Sequence, residues 1–364
     1  MHFPNLDHLL PDNDSEHQQK EGQKTSFDDS KAAHLIEIPP PASNHHQASK
    51  ATPPAPKHRE LAFIHVGKSG GMTLYAALNK ACRHNKTCYR GRVLPPLYNN
   101  TEYASAINDQ TKIILHTKVI GNPQFLSEVK TRTTSFLITL RCPIDRAISW
   151  FLYRHPKNEA YYKLLINNGG EVQHTKFIEL FQCYEQINDL ATKGLDAHNN
   201  DDACATMAKA TFSGTLEWEL IDHMHWNLQH YVEGYDVLKE NSSGNLAYEV
   251  FVLRTTNLLE DWRSVNVILG GSDKVSIPPN VSHRLHEDTS SSIKDTHPPI
   301  HNRYISPQGM ANMCCALKGE IVLYERLLRS AVNIDRDVFE DSMQTVRSKC
   351  QFQTVEELVK SCSK

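Results

Sequence analysis

No run of 18 consecutive apolar residues occurs in this chain, so no segment reads as a membrane-spanning helix. A basic excess is missing too: 39 Lys and Arg stand against 42 Asp and Glu, for a formal net charge of −3. A general nucleic-acid surface needs clustered cations to neutralise phosphates and is therefore not expected. The same balance disfavours a densely anionic polysaccharide as acceptor, whereas a small anion needs only a local group of donors. Metal-ligand spacings are poor. There is no C-x-x-C pair, Pro298-Pro299 forbids the helix that would align His297 with His301, and a helix would splay His223 from His225. No metal site is expected. The Met1 region lacks a basic start followed by an apolar block, so no secretory leader is recognisable.

Apolar residues make up only 39% of the chain, and part of that deficit lies at its start. Residues 1–57 are rich in His, Gln, Asp, Ser and Pro, and Pro39-Pro40-Pro41 and Pro53-Pro54 block helix and sheet alike. Such a segment buries too little apolar surface to offset its ordering entropy and reads as a disordered tail or linker. Residues 58–335 are expected to form one domain, and 336–364 a C-terminal helical tail. Cysteine, in contrast, occurs nine times. Cys82 with Cys88, Cys350 with Cys362, and Cys183 with Cys204 are the disulfide candidates. Asn85, Asn99, Asn241 and Asn280 each head an N-x-S/T sequon, a pattern that also arises by chance in an Asn-rich chain. Cysteines and sequons favour a secretory lumen, and the missing leader favours the cytoplasm. Both settings stay open.

Apolar runs at Leu61–Val66, Lys112–Leu115, Thr134–Leu140 and Tyr248–Leu253 read as buried strands. Helices are expected from Pro143, over Lys176–Leu190 and Glu217–Val232, from Leu258 to Leu269, and over Gln308–Leu328. Strands alternating with helices predict an α/β fold: a P-loop-like parallel sheet with helices on both faces, in a single domain.

The most informative segment is Phe63-Ile64-His65-Val66-Gly67-Lys68-Ser69-Gly70-Gly71-Met72-Thr73-Leu74. Strand, glycine-bearing turn and helix start together aim backbone N–H groups, and the positive end of a helix dipole, at one point. Lys68 adds a point charge, Ser69 and Thr73 add hydroxyls, and Gly70 and Gly71 admit a ligand close to the backbone. Gly67-Lys68-Ser69 matches the end of a nucleotide-triphosphatase loop, but Ala62 holds the position of its first glycine. The second segment is Thr139-Leu140-Arg141-Cys142-Pro143-Ile144-Asp145-Arg146-Ala147-Ile148-Ser149-Trp150-Phe151. Arg141 leaves a strand end, where ligands collect in open α/β sheets, and its fork suits a phosphate. Ser149 follows two helical turns later.

Together these segments resemble the PAPS-dependent sulfotransferases, where PAPS is 3′-phosphoadenosine-5′-phosphosulfate. Phe63–Leu74 is similar to their 5′-phosphosulfate loop, and Arg141 with Ser149 to their 3′-phosphate motif. The wording is nearest the branch of the heparan sulfate 2-O- and 6-O-sulfotransferases and their algal relatives. Val252–Trp262 and Leu317–Leu327 are similar to that branch too, so the resemblance spans about residues 60–330 with gaps. One departure is Cys142, where the family has Asp or Asn; losing that cap is expected to loosen the turn. The resemblance implies a cofactor-binding set of Lys68, Ser69, Gly70, Gly71, Met72, Thr73, Arg141 and Ser149. It implies transfer of a sulfuryl group from PAPS to a hydroxyl, with Lys68 at the leaving phosphate and no metal required. The acceptor expected from it is a carbohydrate, with a sterol or other small alcohol as alternative, and the expected setting is the Golgi lumen. His116, at the end of the second strand, is the expected base, because its imidazole titrates near neutrality. Lys118 competes for that role. A P-loop kinase or NTPase and a non-catalytic PAP-binding protein remain as rivals. His223, His225, Trp226, Ser282, His283 and Arg284 are weaker candidates for the cleft, and Arg254 reads equally as an ion-pair residue.

Overall fold

The computed structural model describes residues 59–70, 74, 111–117, 135–155, 175–199, 202–213, 227–269 and 303–363, with 59–60, 111–117 and 175–178 as backbone path. All of them belong to one compact unit, Pro53–Lys364. The expected tail over 1–57 lies outside the described residues.

Four strands form a parallel sheet: β1 (Arg59–Ile64), β2 (Thr111–Thr117), β3 (Ser135–Leu140) and β4 (Glu249–Arg254), in the order β2-β1-β3-β4. Near-continuous apolar runs suit strands covered on both faces. Ala62, Ile64, Phe136, Ile138, Val250 and Val252 enter one large core cluster. Their neighbours Leu61, Phe63, Leu137, Phe251 and Leu253 alternate to the other face and are equally buried, at 0% exposure. The chain leaves β1 toward β2 on one side, then crosses back so that β3 and β4 lie on the other. The strand order thus reverses between β1 and β3, and that crevice is where open parallel sheets gather ligands.

The helices are α1 (Pro143–Arg154), α2 (Thr175–Cys183), α3 (Ile187–Asp189, continued by a π-helical turn over Leu190–Gly194), α4 (Ala203–Ser213) and α5 (Leu228–Gly234). After β4 come α6 (Leu258–Ile268), α7 (Pro307–Ala316), α8 (Lys318–Ser330), α9 (Arg336–Cys350) and α10 (Val355–Ser361). Pro143 sits in the first turn of α1, where its missing N–H costs nothing.

Two expected helices are each broken. Lys176–Leu190 divides at Gln186, whose backbone is extended (φ −122°, ψ 149°). His155 bonds the Glu185 carbonyl there (2.9 Å), and Cys183 is tied to Cys204, so tertiary contacts override the helical pattern. Gln308–Leu328 bends at Leu317 (φ −95°, ψ 8°), a fully packed residue that redirects the chain without Pro or Gly. Of Glu217–Val232, only the part from 227 onward is described, as α5. The small-residue helix α4 was not among the expected helices.

The helices after residue 335 are part of the main core: Phe339, Met343, Val346, Phe352, Val355 and Leu358 are all buried in it. They are also stapled there. Cys350 pairs with Cys314, and Cys362 with Cys315, rather than with each other as expected. The adjacent cysteines at the end of α7 reach one partner on α9 and one beyond α10, an arrangement that short sequence spacing hides. Cys183–Cys204 is formed as expected, and Cys82 and Cys88 lie outside the described residues.

Candidate anion-binding site

The loop after β1 departs from ordinary turn geometry. Lys68 (φ 63°) and Gly70 (φ 75°) both have positive φ, with Ser69 between them. Alternation of this kind curls successive N–H groups around a common point, forming a nest that attracts anions. Glycine adopts such a φ freely, but a lysine pays about 1–2 kcal/mol for it. Strain held at a non-glycine residue marks a site where the surroundings impose a conformation. Ser69 is buried at 0% exposure, and its hydroxyl has no hydrogen-bond partner among the described residues. An orphaned hydroxyl beside a nest fits an anionic ligand that is hydrogen-bonded on binding.

Arg141, directly after β3, reaches this loop: its Nη1 lies 3.4 Å from the Lys68 carbonyl. That long contact fixes proximity and leaves most of the guanidinium's donors for something else. No salt bridge engages Arg141 among the described residues. Burial pushes its pKa down, Asp145 opposes this, and the like charge of Arg303 pushes it down further. A half-buried cation beside a second cation is the environment an incoming phosphate relieves.

Lys68 turns its ammonium over the Tyr153 ring, 3.6 Å from the centroid. Tyr153 lies one turn beyond Ser149, and both belong to the half-buried stripe Asp145, Ser149, Leu152 and Tyr153 of α1. Ser149 therefore sits on the helix face that meets the loop, between Arg141 and Tyr153 along the axis. Its hydroxyl makes no hydrogen bond among the described residues.

A buried network holds the loop from behind. Arg146 bonds Glu320 through Nε (3.2 Å) and Nη2, and its Nη1 lies 3.5 Å from the Gly67 carbonyl. Glu320 also accepts from the Leu228 N–H at the start of α5 (3.1 Å). Tyr231 is fully buried beside the Gly67 backbone, and burial drives its pKa up. At the end of β4, Thr255 donates to the Leu140 carbonyl (2.9 Å), and a Cβ on Gly70 would stand 3.5 Å from its methyl. Three strand ends thus meet at the loop.

Cys142 occupies the N-cap of α1 and makes no side-chain cap bond. The turn is held instead by the Asp145–Lys349 ion pair, which ties it to α9. Burial pushes the Cys142 thiol up to about 11. Arg254 is an ion-pair residue: it grips Asp261 through Nε and Nη2 and bonds Ser342 through Nη1.

The second strand runs to Thr117, so His116 lies within it, level with Phe63 and one residue short of the carboxyl end. Gly71, Met72, Thr73, Lys118, His223, His225, Trp226, Ser282, His283, Arg284, His297 and His301 lie outside the described residues. Tyr153, Thr255, Glu320 and Arg303 were not among the expected site residues. Tyr153 carried a weak signal, at i+4 from Ser149; the others are 100 residues or more from their partners, where no spacing rule applies.

Compared with models of known protein families, with curated proteins and with solved structures, the chain finds no match in any of the three.

Proposed function

We propose that the chain is a PAPS-dependent O-sulfotransferase built on a P-loop-like α/β sheet. The observation that carries this reading is the meeting of loop 67–70 and Arg141 at the point where the strand order reverses. The alternating φ signs support an anion there, as does the Ser69 hydroxyl, which has no partner among the described residues. Two cationic groups on neighbouring strand ends suit a ligand with two separated anionic groups, as an adenosine bisphosphate has.

PAPS, when bound, supplies an activated sulfuryl group on a phosphate leaving group. The loop N–H groups, Ser69 and Lys68 would hold its phosphosulfate end, Lys68 leaving the Tyr153 face to do so. Arg141 and Ser149 would take the 3′-phosphate. Such a site works by positioning and by neutralising charge in a shielded pocket. His116 is the proposed acceptor of the hydroxyl proton, and a carbohydrate is the proposed bearer of that hydroxyl.

Calorimetric titration with PAP and with Mg-ATP tests the binding half of the reading. PAP is expected to bind and Mg-ATP not. Arg141→Ala removes charge-assisted hydrogen bonds of about 1.5–3 kcal/mol, which is roughly a 10- to 100-fold loss of PAP affinity. Radiolabelled sulfate transfer from PAPS across a panel of acceptors tests the catalytic half. A preference for Mg-ATP would favour a P-loop kinase, and PAP binding without transfer to any acceptor would leave a binding protein.

A further inference from the structure

We propose that Asn241 is an N-glycosylation site, and that the chain matures in an oxidising compartment where oligosaccharide is transferred to it. This inference is independent of the ligand reading. Asn241-Ser242-Ser243 forms the tip of a tight hairpin between α5 and β4, closed by an antiparallel bridge from Glu240 to Leu246. Asn241 N–H donates to the Asn245 carbonyl (2.7 Å), and Gly244 N–H to the Asn241 carbonyl (3.0 Å). Gly244 makes the turn with φ +75° and has nothing within 4 Å of where a Cβ would stand. Residues 241–245 are all exposed, so nothing among the described residues walls off the asparagine.

The carboxamide itself is set for acceptance. Its Oδ1 takes hydrogen bonds from the Ser243 N–H (2.9 Å) and the Asn245 N–H (3.1 Å). That Asx turn fixes the side chain, and the Nδ2 group donates to nothing among the described residues. The Ser243 hydroxyl, the other group a sequon presents, also makes no hydrogen bond among them. The amide nitrogen and the hydroxyl two residues on are therefore both offered to solvent on a rigid turn. In the transfer, Nδ2 bonds to the anomeric carbon of a polyprenyl-diphosphate-linked oligosaccharide. The bond from that carbon to the phosphate oxygen breaks, the diphosphate leaves, and one amide proton passes to the transferase.

The compartment is argued from sulfur. Of the seven cysteines among the described residues, six are paired as Cys183–Cys204, Cys314–Cys350 and Cys315–Cys362, and the seventh, Cys142, is buried. Bonds of this kind persist where the surroundings are oxidising, and such lumens are where sequons are read. The hairpin also leads into β4 at its amino end, whereas the anion loop follows the carboxyl ends, so a glycan at Asn241 leaves that loop open.

The test produces the full chain behind a cleavable secretory leader in eukaryotic cells. The purified, disulfide-closed protein is deglycosylated by amidase in heavy-oxygen water and its Asn241 peptide is analysed by mass spectrometry. The peptide is expected to carry the heavy-oxygen aspartate tag, and Ser243→Ala is expected to abolish it. Asn241→Asp should also lose the glycan yet keep an oxygen for both N–H donors, with an unchanged melting temperature. An untagged Asn241 peptide in protein whose three disulfides have closed overturns the proposal. So does a tag that persists in Ser243→Ala, since it would report chemical deamidation.

Discussion

Removing the negative half of the Arg146–Glu320 pair is expected to be among the most damaging single changes available in the described core. Both side chains are nearly inaccessible, at 2% and 4% exposure. Glu320 accepts from two nitrogens of Arg146 and from the Leu228 N–H. Glu320→Gln preserves shape and leaves an oxygen for Leu228, but takes the carboxylate charge away from a buried guanidinium, a defect that costs about 3–5 kcal/mol. Arg146→Met strands the carboxylate and is expected to cost a similar amount. The double variant Arg146→Met with Glu320→Leu removes both charges. It leaves the Leu228 N–H without this acceptor, at about 1–3 kcal/mol, and gives up the long contact to the Gly67 carbonyl. Each single variant should therefore be less stable than the double, by about 1 kcal/mol or more. Urea unfolding of the oxidised protein, with unchanged m-values as a check that the end states are the same, measures this. Both singles should also weaken PAP binding, because Arg146 stands against the Gly67 carbonyl. A double variant no more stable than the single variants would refute the coupling.

Three further outcomes are expected. His116→Ala should abolish most sulfate transfer while leaving PAP affinity nearly intact, read by the transfer assay and by calorimetry; retained turnover would reject it as the base. The Cys142 thiol, held near pKa 11 by burial against an ordinary 9.0, keeps its proton when the unfolded chain has lost it. Between pH 9 and 11 the unfolded state thus binds fewer protons, and stability falls as pH rises, by about 1–3 kcal/mol. The pH–stability curve of Cys142→Ala should lack that decline, and native Cys142 should resist iodoacetamide until the protein unfolds. Opening Cys314–Cys350, which closes a separation of 36 residues, should cost about 4 kcal/mol by loop entropy. Paired Cys314→Ala and Cys350→Ala substitutions, followed by thermal unfolding, measure it, and an unchanged melting temperature would show that the clasp contributes nothing.

Much of the frame was legible from local pattern. The strands at 61, 112, 134 and 248 appear within a residue or a few of their expected bounds, because a buried parallel strand is a short apolar run. Pro143 marked the start of α1 for an equally local reason, a ring that suits only the first turn. Gly67–Gly70 and Arg141 stood out because special backbone geometry and a charge at a strand end leave marks in residue type. The helix breaks at Gln186 and Leu317 left no such mark; neither position carries Pro or Gly, and packing alone turns the chain there.

What the sequence by itself determined is therefore where strands begin and end and which residue types cluster at their ends, since these depend on neighbours a few positions away. Tertiary structure alone decided that Arg141 lies against the Lys68 carbonyl across 73 residues, that Glu320 pairs with Arg146 behind the loop across 174, and that Cys350 joins Cys314 rather than Cys362. The physical reason is one of range. A strand or a cap is a local balance of backbone and side-chain preferences, whereas a partner far along the chain is chosen by which surfaces the whole core brings together.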